Sequence, residues 1–233
     1  LLLLQFSIGV LVITLVTDIE AQLGPYSMFY VMAGIVLISF IFLSLMSPPS
    51  NSRKIQQPQK TSSNVTKPAI FLLLSLVCYQ TAAYAIWTYV GVIGEKAEFG
   101  AESVNVYIGA TGMLGLLGAL VPIFSRGRVR RFRMLAVGTV LSTAAPVLLI
   151  EPKLSPINYI LALSLMFFSW PAVLSYLLAA TAEYDNSGHV STFANVLLIA
   201  SMGIGPQLAA SLKEDGNFSV MLMVCAFLFF LSL

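Results

Sequence analysis

Long apolar runs separated by short polar connections dominate the chain. A helix that crosses a membrane needs about 20 mostly apolar residues. Eight segments are candidates: Leu1–Val16, Met28–Met46, Ala69–Ile93, Val104–Phe124, Met134–Ile150, Ile157–Ala182, Val190–Leu212 and Phe218–Leu233. Barrel strands are about 10 residues long and alternate polar with apolar, and these runs do neither. The pattern predicts an all-α, polytopic transmembrane helix bundle.

The segments differ in kind. The second, fifth and eighth are nearly uniform in Leu, Val, Ile, Phe, Met and Ala, and are expected to face lipid. The third, fourth, sixth and seventh carry Gln, Asn, Thr, Ser, Tyr and Trp, or runs of Gly. Such residues suit a bundle interior, where a polar group finds a partner or water. From the third segment on, the order polar, polar, apolar occurs twice, an internal repeat of three helices.

Composition agrees with a membrane protein. Hydrophobic residues make up 58% of the chain and charged residues 9%, where a soluble domain is roughly a quarter charged. Mean hydropathy is +0.90. The net charge of +2 says little; the placement of charge says more. The stretch 47–68 holds Arg53, Lys54, Lys60 and Lys67 and no acid, and every other arginine lies in 125–133. Both loops are expected on the cytoplasmic side of a cell membrane, with the acidic or nearly neutral alternate loops outside. The stretch 47–68 is rich in Ser, Gln, Asn, Pro and Lys and reads as a flexible tether. Cys78 and Cys225 lie inside apolar runs and read as small buried hydrophobes rather than a disulfide or metal ligands. The apolar runs at both ends read as cut, so a longer protein is expected.

The three-helix repeat, the long basic central loop and the Arg-rich turn after a Gly-rich helix together resemble the major facilitator superfamily. The resemblance implies eight helices of a twelve-helix fold. Residues 1–46 would be the last two helices of the amino-terminal bundle, 47–68 a cytoplasmic linker, and 69–233 the carboxy-terminal six-helix bundle. Its partners would be the lipid bilayer, a small-molecule substrate and the missing amino-terminal helices. The turn holding Arg126, Arg128, Arg130 and Arg131 resembles the family's loop signature without its usual Asp. Glu183 to His189 resembles an acid-to-basic loop after the tenth helix, with His189 where Arg is usual. Gly203, Gly205 and Pro206 resemble a Gly-Pro helix signature of efflux members. These motifs make Arg126, Arg128, Arg130, Arg131, Glu183 and Asp185 candidates for a cytoplasmic gate, with Glu183 expected to pair with Arg126 or Arg128.

Candidate substrate residues follow from helical spacing. Gln80, Tyr84 and Trp87 recur at i, i+4 and i+7 on one face of the third segment. That face would suit a moderately polar or aromatic solute. Ser164, Phe168 and Ser175 share a face of the sixth segment with Pro171, which would kink it. Asn195 is the strongest polar candidate of the seventh segment, since an amide inside the bilayer must pair or face water. Gly112, Gly115 and Gly118 on the fourth segment, with Gly203, Gly205 and Pro206 on the seventh, read as close-packing or hinge positions.

Absences narrow the class. No Asp, Glu, Lys or Arg lies in the middle of an apolar run. Such a charge costs about 2.5–3.5 kcal/mol on insertion scales and is kept mainly for ion relays or charged substrates. Proton coupling, where it occurs, is expected upstream of this sequence. No phosphate-cradling loop, metal-spaced His or Cys set or nucleophilic triad stands out, so no cofactor, no metal, no nucleic acid and no enzymatic activity are expected. The expected function is secondary transport of a small organic solute by alternating access, with export favoured. The alternative is a non-transporting sensor or subunit on the same scaffold.

Overall fold

The computed structural model describes residues 24, 26–45, 66–125, 131–185, 188–213 and 217–233. The first predicted segment and most of the 47–68 tether lie outside the described residues. The helices are α1 (Ser27–Leu45), α2 (Lys67–Lys96), α3 (Ala101–Gly112), α4 (Leu114–Phe124), α5 (Arg131–Leu149), α6 (Pro156–Glu183), α7 (His189–Leu212) and α8 (Ser219–Leu231). Among the described residues, five spans are long and apolar enough to cross a membrane, with α3 and α4 counted as one crossing. Among the described residues, α1 falls in one compact unit and α2 to α8 in another.

Local chemistry sets the ends. Pro68 in the first turn of α2 and Pro156 in that of α6 sit where a missing N–H costs nothing. The Ser155 hydroxyl caps α6 by accepting the Asn158 N–H at 3.2 Å. The predicted fourth segment is broken at Met113, where Leu116 reaches back only three residues, to the Met113 carbonyl. Two features loosen the helix there. Gly109, Gly112 and Gly115 bring poor helix propensity. The Thr111 hydroxyl also bonds the Tyr107 and Ile108 carbonyls at 2.6 and 3.3 Å, a back-bond that bends helices.

The unit α2–α8 is organised around α6. It packs most extensively on α5 and α4, while α2 packs chiefly on α7 and α8 closes against α5 and α2. Half or more of the most apolar stretch of α2 and of α6 is buried (50% and 61%), against 22% in the α3–α4 crossing and in α7. Within this unit, burial therefore differs among helices that the sequence groups together. The third and sixth segments are central, whereas the fourth and seventh are the least covered within the unit.

The fifth segment packs along one side. Its α5 buries Gly138, Thr139, Ser142, Ala145, Pro146 and Leu149. Gly138 lets Val173 of α6 press against the α5 backbone, where a Cβ would collide. Behind it runs a fully buried hydroxyl chain. Tyr79 Oη lies 2.8 Å from Ser142 Oγ, and Ser142 Oγ lies 2.7 Å from Ser169 Oγ. Ser169 Oγ donates to the Leu165 carbonyl at 2.6 Å. Ser142 Oγ also donates to the Gly138 carbonyl at 3.0 Å, so the chain from Tyr79 ends on the Gly138 and Leu165 carbonyls. It ties α2, α5 and α6 together and leaves no member unpaired.

Candidate functional site

The predicted face of α2 converges on one residue of α6. Gln80 is 2% exposed, and its amide oxygen accepts the Trp170 indole N–H at 2.7 Å. The Tyr84 ring stands edge-on to Trp170 with centroids 5.3 Å apart. Trp87 stands edge-on to Phe167 at 5.5 Å and lies 6.5 Å from Trp170. Offset and edge-on pairs of this kind are the favoured aromatic geometry. Tyr84 is half-buried and Trp87 is 37% exposed, so the cluster has a closed end at Gln80 and an open end at Trp87. Thr88 is exposed beside it and donates its hydroxyl to the Tyr84 carbonyl at 2.8 Å.

The predicted face of α6 points elsewhere. The Phe168 carbonyl and the Pro171 ring meet Gly118 of α4, where a Cβ would overlap that carbonyl. At 3.6 residues per turn, the face holding Ser164, Phe168, Pro171 and Ser175 is roughly a third of a turn or more from Trp170. The serine hydroxyls are engaged within their own helix: Ser164 donates to Ile160 and Ser175 to Pro171, each at 2.7 Å. Pro171 is buried in this packed contact. The structure therefore brings Gln80, Tyr84 and Trp87 together with Trp170 and leaves Ser164, Phe168 and Ser175 apart. Asn195 is exposed on α7, its amide donating to the Ser191 carbonyl at 2.9 Å. Trp170 is the residue that spacing on α6 missed. The signal for it was the pair Phe167 and Trp170, which continues the aromatic character of the α2 face.

The packing glycines divide in two. Gly118 and Gly205 touch neighbouring backbone directly, and Gly115 is buried. Gly112 and Gly203 have nothing within 4 Å of a built Cβ among the described residues, so they are not contacts of this unit.

At the other end, Arg131 Nη1 lies 2.5 Å from Glu183 Oε1. Glu183 thus pairs with Arg131; Arg126, Arg128 and Arg130 lie outside the described residues. Ser125, at the far end of the same turn, hydrogen-bonds the Tyr176 hydroxyl. Tyr176 and Glu183 are seven residues apart, two turns along one side of α6, so both ends of the arginine turn are fixed to that helix. Asp185 accepts the Ser191 N–H at 2.8 Å and so satisfies an open donor in the first turn of α7. No three His, Cys, Asp or Glu side chains gather into a metal-binding group among the described residues.

Two grooves lie away from the aromatic cluster. One of about 400 Å³ runs between α5 and α8, lined by Thr139, Val140, Thr143, Val147, Phe230 and Leu233. Another of about 180 Å³ sits among Lys96, Glu151, Asn217 and Phe218 at the opposite end from Glu183.

The family model for the Major Facilitator Superfamily matches residues 1–206. The chain belongs to the major facilitator superfamily. It is an integral, multi-pass membrane protein whose activity is transport of a small-molecule solute, not enzymatic catalysis. No curated protein and no protein of solved structure matches the chain. The uncharged aromatic cluster and the ion-paired turn are therefore features of a transporter.

Proposed function

We propose that the chain works as a secondary transporter by alternating access, and that Tyr84, Trp87 and Trp170 form part of the wall that meets the solute. Residues 69–233 form the carboxy-terminal bundle, 47–68 the cytoplasmic linker to residues 1–46, and further amino-terminal helices the opposite wall. The observation that carries the reading is the half-open aromatic cluster held in place by the Gln80–Trp170 bond. A wall without charge suits a small organic solute with aromatic or apolar surface. The likeness of Gly205–Pro206 to the efflux signature supports export, and the basic loops support insertion in the cell membrane with 47–68 and 125–133 inside.

Trp87 and Trp170 are the two tryptophans of this sequence, so with any tryptophan elsewhere in the protein replaced by phenylalanine, indole emission reports on the wall. In reconstituted protein, aromatic solutes that are exported should quench that emission saturably. Trp87→Ala should reduce export at least about tenfold at equal expression. Export unchanged in that variant would rule the wall out. A protein that binds such solutes without moving them would be a sensor.

A further inference from the structure

Most threonines of the bundle settle a hydroxyl in hydrocarbon the same way. Thr88, Thr111, Thr143 and Thr192 donate to the carbonyl four residues back, and Thr181 to the one three back. Thr81 does not. Its Oγ1 is fully buried in α2 with no hydrogen-bond partner among the described residues, and the residue is 5% exposed.

Thr81 sits where α7 comes closest. A Cβ on Gly205 would lie 2.7 Å from the Thr81 carbonyl and 3.0 Å from the Ala85 nitrogen. Glycine there lets one helix shift along the other without a side chain in the way. The next residue on α7 is Pro206, inside the helix. Proline has no N–H, so the Met202 carbonyl, four residues back, lacks its helical donor. The other hydroxyl in this seam, Ser201, is already bonded to its own Leu197 carbonyl at 2.8 Å. A buried donor on α2 and an acceptor on α7 thus flank one glycine contact, neither served by its own helix.

We propose that the Thr81 hydroxyl and the Met202 carbonyl form a hydrogen bond in the other state of the transport cycle, made and broken as α7 slides over α2 at Gly205. The inference rests on the alternating-access reading. Thr81 is then a positioning residue, outside the solute wall. Replacing it by valine removes an unpaired group from the described state and a bond from the other state. Both effects favour the described state.

The test uses the full-length transporter in lipid, with Cys78 and Cys225 replaced and spin labels at exposed Val92 on α2 and exposed Ala210 on α7. The unmodified protein should show two label distances. Thr81→Val should move their ratio at least about fivefold toward the distance of the described structure, and Thr81→Ser should leave it unchanged. Pro206→Ala, which returns an N–H to Met202, should shift it the same way and add little to Thr81→Val. Two distances whose ratio ignores Thr81→Val, or full additivity of the two variants, would overturn the proposal and leave alternating access standing. A single distance under all conditions would mean that α7 does not slide over α2 and would overturn the proposal too, whereas solute bound but never moved would remove the alternating-access reading itself.

Discussion

Trp170 donates its indole N–H to the Gln80 amide oxygen across 2.7 Å, and this bond joins α2 and α6, the two longest helices described. It also orients the ring against which Tyr84 and Trp87 stack. Side-chain hydrogen bonds between membrane helices are worth about 0.6–2 kcal/mol. Trp170→Phe keeps an aromatic ring and removes the donor. Thermal unfolding of the purified protein should show a loss of that size, with Trp87 emission shifted. No change in either would mean that the bond contributes nothing.

The hydroxyl chain through Ser142 should be more sensitive. Ser142→Ala leaves Tyr79 and Ser169, both about 99% buried, without the partner between them. An unmade buried hydrogen bond costs about 1–3 kcal/mol. Ser39→Ala removes an exposed hydroxyl bonded within its own helix, and should change stability by less than about 0.5 kcal/mol. Equal effects of the two changes on unfolding would contradict the assignment.

The glycines should separate by what they touch. Gly118→Ala drives a methyl into the Phe168 carbonyl, and overpacking of this kind costs about 1–3 kcal/mol. Gly112→Ala, with open space at that position, should be neutral or stabilising by up to about 1 kcal/mol. Melting temperatures of the two variants decide it, and a reversed order would sink the packing assignment.

The Arg131–Glu183 pair is half exposed, at 46% and 58%. Water and salt screen it, and exposed pairs contribute about 1 kcal/mol or less to stability. A double-mutant cycle with Arg131→Gln and Glu183→Gln should give a small coupling that shrinks as salt is raised. A transport rate falling tenfold in either variant while stability barely moves would mark the pair as a gate. Rates that track the small stability change would leave it a surface tie.

The spans were legible because hydrocarbon demands long apolar helices whatever their neighbours. The α2 face was legible for a related reason: Gln80, Tyr84 and Trp87 lie on one helix, so spacing alone aligns them. The α6 face was not. Spacing groups Ser164, Phe168 and Ser175, but the rotation of a helix about its axis is set by what it meets. Here the Gly118 contact draws Phe168 and Pro171 toward α4 and leaves Trp170 for α2. The packing side of α5 was not visible in its apolar average, because Gly138, Thr139 and Ser142 are too few to break it, yet they occupy the side that packs. The break at Met113 was hidden for the opposite reason, since glycines spaced through an apolar run leave hydropathy high while weakening the backbone.

That break falls within one crossing that leans on α6 on both sides of Met113. On one side of Met113, α3 meets α6, where the Tyr107 and Tyr159 rings lie 6.2 Å apart, and also reaches α2, where Ile108 meets Gly91; on the other, α4 is pressed onto α6 through Gly118. A continuous rod would carry a displacement from one membrane surface to the other. Met113 keeps right-handed helical dihedrals and the crossing is one 24-residue span, so a push on either half is met by the α6 face behind it.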